Sequence, residues 1–310
     1  MKLATSTGDF NGFASNIAEK IQNFKGSKFK NVNLEQTGVI PEFFEESDNG
    51  YKKLADDWAK ARDFAGVNFV VSHAPCLHNA VICDDETYKK NIRAIRRSIE
   101  ICNILGIKRI VVHACVNEGF DRKLFFDYNK AFYREFFDLM EKYEIILMTE
   151  NWDNEKYHFS TGKDIRELLD EINHPLLCAC WDSAHGNLDK KAREIGQYQN
   201  IADIGDKLKG LHISDNFGDF HHHTIPFAGF INFDSIMQGL TDVSYDGYFT
   251  FEASYTLLNT QNPYPKKPFI YNGVEVKKLL NPSVELKKQA IDLLYETGKY
   301  ILTAYDCFEL

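Results

Sequence analysis

The sequence predicts a single (β/α)8 barrel, and three observations lead to this fold. Eight short apolar segments follow one another along the 310 residues, segments with helical spacing lie between them, and polar side chains end most of the apolar segments. Strands that alternate with helices are typical of a parallel sheet covered by helices. Such barrels commonly take about 250 residues, so residues 1–310 fit one barrel with extensions.

The predicted strands are short runs rich in apolar and β-branched residues. In chain order they cover 2–5, 32–36, 68–73, 109–113, 145–150, 177–182, 210–214 and 248–252. In the predicted helices, apolar residues recur every three or four positions, which is the spacing of one helix face. These helices cover 51–64, 86–105, 124–142, 164–172 and 284–302.

One long irregular segment, 254–283, follows the last predicted strand and contains four of the eight prolines. In barrels of this kind the loops that follow the strands surround the active site. We therefore expect 254–283 to form an extended loop over the mouth of the barrel.

Composition and charge indicate which kinds of binding partner and which cellular compartment are expected. The formal net charge is -9 and no basic block occurs, which argues against nucleic acid as a partner. Seven cysteines, several of them inside apolar runs, suggest reduced thiols and a cytoplasmic location. No run of about 18 apolar residues is present, so we expect no contact with a membrane. The sequence leaves homo-oligomerisation open.

From the third onward, each predicted strand has at or near its end a residue of a type that commonly binds metals. In chain order they are His73, His113, Glu150, Asp182, His212 and Glu252. A single strand-end histidine is more often a hydrogen-bonded core residue. Parallel strands of a barrel end on one rim, however, and a buried carboxylate is costly unless it is paired or bound to metal. Three carboxylates that converge with histidines therefore predict a divalent cation at this rim.

Further polar and aromatic residues lie beside these strand ends. His185 follows Asp182 by three residues, and the alternation of the His221–His223 run predicts that His221 and His223 face the site while His222 points away. Trp152 and Trp181 are neighbours of strand-end carboxylates, so we expect them to form apolar walls for a small ligand. Packing between the barrel and its helices is the alternative for both tryptophans.

Several of these motifs resemble the xylose-isomerase-like barrel superfamily, which includes sugar isomerases and epimerases, a dehydratase and endonuclease IV. The motifs are SHAP at 72–75, Glu150 at its strand end, WDSAH at 181–185, LHISD at 211–215 and a degraded H-x-x-P-G-x-G-x-I-D loop at 223–232. In that loop Phe227 replaces the first glycine and Asn232 replaces the aspartate. The resemblance covers nearly the whole chain and implies the barrel fold and a divalent metal.

The resemblance also implies roles for individual residues. Glu150, Asp182, His212 and Glu252 match the metal ligands shared by the epimerases and the nuclease. Further possible ligands match the nuclease alone, in which the residue at the position of Glu150 bridges two ions. These possible additional ligands are His73, His113, His185, His221 and His223. His221 stands where the nuclease has an aspartate. Two departures weaken specific assignments: Cys76 replaces a DNA-contacting tyrosine of the nuclease, and Gly218 replaces a substrate-holding arginine of the epimerases.

The favoured hypothesis is isomerisation or epimerisation of a small sugar or polyol-derived carbonyl compound through an enediolate. One ion of Mn²⁺, Mg²⁺, Co²⁺ or Zn²⁺ would stabilise the enediolate, with Glu150 and Glu252 as base and acid. The substrate contacts expected are His185, His73, His113, Trp152 and Trp181. The alternatives are a zinc-dependent phosphodiester hydrolase of the endonuclease IV type with two or three ions, a related lyase or dehydratase, and a non-catalytic metal-binding barrel.

Overall fold

The computed structural model describes residues 1–38, 40–77, 83–257, 269–276 and 281–310. Within these ranges eight parallel strands form one sheet in the order β7-β6-β5-β4-β3-β2-β1-β8. The strands are β1 (Leu3–Ser6), β2 (Asn31–Glu35), β3 (Asn68–His73), β4 (Arg109–Val111), β5 (Ile146–Glu150), β6 (Leu177–Asp182), β7 (Leu208–His212) and β8 (Phe249–Thr250). All eight predicted strands are confirmed.

The sheet closes into a barrel between β7 and β8. Ile213, just after β7, forms a parallel bridge with Phe251. The backbone N–H of Ile213 donates to Thr250 O at 2.9 Å, and the N–H of Glu252 donates to Ile213 O at 3.0 Å. This closure brings the end of β8 beside the end of β7, so the strand-end side chains meet across the seam.

Helices surround the barrel. They are α1 (Ile17–Gln22), α2 (Asn49–Ala65), α3 (Asp85–Leu105), α4 (Arg122–Arg134), α5 (Phe137–Tyr143), α6 (Gly162–Ile172), α7 (Ser183–Leu188), α8 (Lys190–Ile195), α9 (Gln197–Ile204), α10 (Phe233–Asp242) and α11 (Val284–Ala304). The prediction of one helix over 124–142 is wrong, because α4 and α5 replace it. The N–H groups of Glu135 and Phe136 bond carbonyls three residues back, which tightens the backbone and ends α4.

The hydrophobic core has two parts, separated by the wall of the barrel. Val71, Val111, Met148, Cys178 and Cys180 pack together inside the barrel. A larger cluster fills the space between the strands and the surrounding helices. Because successive strand residues point to opposite faces, the inward positions of a strand end at the mouth of the barrel, where the polar side chains lie.

The predicted loop 254–283 falls only partly on described residues. Its described parts are a 3-10 turn at Ser254–Thr256 and an antiparallel pair of strands, β9 (Phe269–Tyr271) and β10 (Val274–Val276). Residues 258–268 and 277–280 lie outside the described residues, so its position over the mouth stays a prediction. Among the helices of the described ranges, none combines the length and apolar character that a membrane span requires.

Candidate metal centre

Four side chains converge at the mouth of the barrel where β5, β6, β7 and β8 end. Glu150, Asp182, His212 and Glu252 each place one ligand atom within 4.8 Å of the others. The Nδ1 atom of His212 lies 2.9 Å from Glu150 Oε1 and 3.0 Å from Glu252 Oε2. Two carboxylates thus approach one imidazole nitrogen from different strands.

The donor set and its burial fit a divalent cation. Glu150, Asp182 and His212 are at most 1% exposed, so their charges are largely removed from water. Asp182 Oδ1 accepts the N–H of His185 at 2.7 Å and thereby caps α7, whereas Asp182 Oδ2 has no hydrogen-bond partner among the described residues. Buried carboxylates with an unpaired oxygen are costly, and three carboxylates with one imidazole are suitable ligands for Mg²⁺, Mn²⁺ or Zn²⁺.

Burial and neighbouring charges together shift the pKa values of the carboxylates in this cluster in opposite directions. Burial would raise the pKa of Glu150, but the charges of His212 and His113 hold it well below 4.5. Burial likewise opposes ionisation of Glu252, yet His212 lowers its pKa to about 2. The pKa of Asp182 is raised by burial. Without a cation, protonated imidazoles therefore balance the carboxylate charge.

Two further histidines from β3 and the β4 loop face Glu150. The Nε2 atoms of His73 and His113 lie 3.1 Å apart, and they lie 3.6 Å and 3.4 Å from Glu150 Oε2. His73 Nδ1 is 2.7 Å from Ala74 O, so its N–H donates to that carbonyl and Nε2 is left to face the carboxylate. His73, Glu150 and His212 form a second candidate ligand group.

A third candidate group adjoins the first, since His185 Nδ1 lies 3.6 Å from Glu150 Oε1 and His223 Nδ1 lies 3.1 Å from Glu252 O. His185, His221 and His223 place ring nitrogens within ligand distance of one another, and His221 Nδ1 is 3.3 Å from His223 Nε2. His222 is turned away from this group, with its ring 5.1 Å from that of Phe217.

The two tryptophans expected to contact substrate lie in different places. The ring of Trp152 is 4.6 Å from that of His113, so it borders the candidate centre. Trp181 is fully buried and its Nε1–H donates to Gln197 of α9 at 2.8 Å. The prediction of Trp181 as a substrate contact is therefore wrong: Asp182 points into the barrel, and its neighbour on the strand must point outward to the helices.

Two polar residues of the site were not predicted from the sequence. Asp153 Oδ2 lies 2.6 Å from His221 Nε2, and a carboxylate in this position orients an imidazole ligand. The side chain of Asn151 donates to Asp182 O at 3.0 Å and accepts from Asp182 N at 2.8 Å, which joins the ends of β5 and β6. Both lie within three residues after Glu150 in the chain, and the available signal was that polar residues follow the end of a strand.

A family model and several relatives match the chain. The model described as xylose isomerase-like TIM barrel matches residues 37–268. An uncharacterized protein of Methanocaldococcus jannaschii is 26% identical over 59% of this chain, and the match spans 64% of that relative's length. A probable endonuclease 4 of Sulfurihydrogenibium is 22% identical over 73% of this chain and 80% of its own length.

Solved structures share the same fold over almost the whole chain. A D-tagatose 3-epimerase-like protein has a TM-score of 0.68 and 19% identity, and the match covers 98% of this chain and 100% of that one. The IOLI protein, solved with a bound zinc atom, has a TM-score of 0.69 and 16% identity, with 98% and 99% covered. At these identities the likeness establishes the barrel fold.

Proposed function

Because the chain belongs to the xylose isomerase-like TIM barrel family, we propose that it is a divalent-metal-dependent isomerase or epimerase. The proposed substrate is a small sugar or a polyol-derived carbonyl compound. The observation that carries the proposal is the convergence of Glu150 and Glu252 on the Nδ1 atom of His212. It supports a role for these two carboxylates as proton-accepting groups beside one candidate metal position.

The proposed chemistry divides between the ion and the protein. Glu150, Asp182, His212 and Glu252 would hold a divalent ion, which would polarise carbonyl and hydroxyl oxygens as a Lewis acid. Glu150, whose low pKa keeps it ionised, accepts the proton from the carbon next to the carbonyl. Glu252, a carboxylate in the free site, first takes up a proton from solvent and then delivers it to the other face of the same carbon, which inverts the stereocentre, while Glu150 passes the abstracted proton to solvent. These two residues are the proposed catalytic pair.

Other polar groups at the mouth are suited to hold substrate hydroxyls. His185 Nδ1 donates to Asn151 O at 2.8 Å, which fixes the ring and leaves Nε2 to hydrogen-bond a substrate oxygen. His73 is oriented in the same way by Ala74 O. The ring of Trp152 provides an apolar surface beside His113, and aromatic faces pack well against the C–H faces of sugars.

Solvent deuterium tests this proposal. Metal-replete protein is incubated in D₂O with a panel of ketoses, aldoses and inososes, and products are followed by NMR. We expect one C–H next to the carbonyl of a panel member to be replaced by deuterium, and chelation should stop the exchange. A fully metallated protein that exchanges no carbon-bound proton in the panel would contradict the proposal.

Metal affinity is expected to rise with pH. Burial lowers the pKa of His212, but the Cys180 sulfur and the Glu150 and Glu252 carboxylates raise it well above 6.5. His212 therefore carries a proton at pH 7 that the metal must displace, and each proton released changes the affinity about tenfold per pH unit. We expect at least one proton to be released between pH 6 and 7, counted by calorimetry in buffers of different ionisation enthalpy. Release of none would show that His212 is not a ligand.

A second candidate function, zinc-dependent hydrolysis of a phosphodiester, is favoured by one observation. Three candidate ligand groups lie side by side at the mouth, and two of them share Glu150 and His212. Clustered zinc ions generate hydroxide and neutralise a leaving oxygen. The match to a probable endonuclease 4 adds weight to this candidate.

The double variant His73→Ala/His113→Ala separates the two candidates. In the isomerase these residues hold substrate, so we expect unchanged metal content and binding weakened by about 1–3 kcal/mol per lost partner. In the hydrolase they hold an ion, and the variant loses one equivalent of zinc. Elemental analysis of the variant and of the control His222→Ala decides between these outcomes.

A further inference from the structure

Lys287 is a buried ammonium group outside the candidate metal centre. It lies in the first turn of α11 and is 1% exposed. Its Nζ donates to Ser254 O at 2.8 Å and to Leu257 O at 3.1 Å. A buried ammonium is costly unless hydrogen bonds and a counter-charge compensate it, so these carbonyls are part of what keeps it there.

The carbonyls that Lys287 binds belong to the turn directly after Glu252. In this turn Tyr255 N–H donates to His223 O at 3.0 Å, and its ring lies 5.6 Å from that of His223. His223 Nδ1 in turn lies 3.1 Å from Glu252 O. The turn therefore contacts His223, and His223 contacts the backbone of Glu252, a proposed catalytic group.

His223 needs this support because of its backbone. Its φ is 34°, in the left-handed region that residues other than glycine rarely adopt. Such a conformation is unfavourable and persists only where surrounding contacts fix it. The hydrogen bond from Tyr255 is one of these contacts, and the position of Tyr255 depends on the carbonyls held by Lys287.

Asp9 supplies negative charge that acts on Lys287. Asp9 is 1% exposed, and its Oδ2 accepts a hydrogen bond from Thr5 at 2.5 Å. Burial lowers the pKa of Lys287 to about 8 although the charge of Asp9 opposes that shift. At neutral pH the ammonium thus stays charged, between the β1 side of the barrel and the turn after β8.

We propose that Lys287 is a positioning residue whose ammonium holds the Ser254–Leu257 turn and, through it, Glu252 and His223. The proposal rests on the proposed function in that Glu252 is taken as a catalytic group. The evidence for the proposal is that the ammonium donates to two carbonyls of the same turn. An apolar side chain of similar length would fill the same space but would bind neither oxygen.

The test compares Lys287→Met with Lys287→Arg and with the neighbouring control Lys288→Met, which changes a partly exposed lysine on the same helix. Amide hydrogen exchange measures protection of the 252–257 segment in each folded variant. We expect Lys287→Met to increase exchange at Tyr255 at least tenfold and to weaken metal binding. Lys287→Arg should restore part of both, since it keeps the charge and the donors. The control should match the wild type.

Two results would overturn the proposal: unchanged protection of 252–257 in Lys287→Met, or an equal loss of protection in every barrel strand, which would assign Lys287 to global stability alone. If Lys287→Met does not fold, the double variant Asp9→Asn/Lys287→Met, which removes both buried charges, takes its place in the comparison with the wild type and the control. Exchange and metal binding need no substrate. If the wild type proves not to be an isomerase, these two readouts still decide the role of Lys287.

Discussion

Replacing Glu150 or Glu252 by glutamine is expected to abolish turnover. Each substitution keeps the shape of the side chain but removes a charge from the candidate metal position and a group that can carry a proton. Loss of a positioned acid or base alone costs about 10²–10⁴-fold in rate, and loss of a metal ligand adds to this. We expect the larger effect at Glu150, which also faces His73 and His113.

Steady-state kinetics and elemental analysis of both variants measure this effect. Glu194→Gln, at an exposed position on α8, is the matched control and should behave as the wild type. A loss below about tenfold, or roughly 1.4 kcal/mol of barrier, in either Glu150→Gln or Glu252→Gln would mean that the carboxylates are structural.

His212→Ala is expected to lose the metal. Its Nδ1 is the atom on which Glu150 and Glu252 converge, so its removal leaves the buried carboxylate of Glu150 close to the partly exposed carboxylate of Glu252 with no imidazole between them. Loss of a residue that only orients a ligand costs about 10–100-fold in metal affinity, and loss of the ligand itself should exceed that. Titration of the metal-free variant with Zn²⁺ or Mn²⁺ gives the measurement.

His222→Ala is the control for His212→Ala. The ring of His222 lies against Phe217, turned away from the three-histidine group, so we expect metal and activity to be kept. If His222→Ala lost metal while His221→Ala and His223→Ala kept it, the assignment of faces in this run would be wrong.

The barrel could be predicted from the sequence because its strands are short apolar runs between helical patterns. The residue at the end of each strand can be identified from the neighbouring sequence alone. Glu150 and Asp182, for example, are the last residues of β5 and β6 in the structure, as predicted. Trp181 was misplaced although the same reasoning could have placed it. If Asp182 faces the mouth, strand alternation puts its neighbour against the helices.

Asp153 and Lys287 could not be predicted in their roles, because these depend on contacts between distant parts of the chain. Asp153 meets His221 across 68 residues, and Lys287 meets Ser254 across 33. No spacing pattern predicts either contact. Asp153 lies in a loop, and Lys287 lies in the first turn of a helix that periodicity does predict, but periodicity does not identify the partner of a side chain.

Anomalous diffraction from metal-replete crystals tests the claim that Glu150, Asp182, His212 and Glu252 together hold a divalent ion. At the absorption edge of zinc or manganese we predict one peak per chain within ligand distance of all four side chains. A peak within ligand distance of His73 and His113 as well would favour the hydrolase. A map from crystals with metal bound elsewhere, but with no peak among these four residues, would contradict the claim.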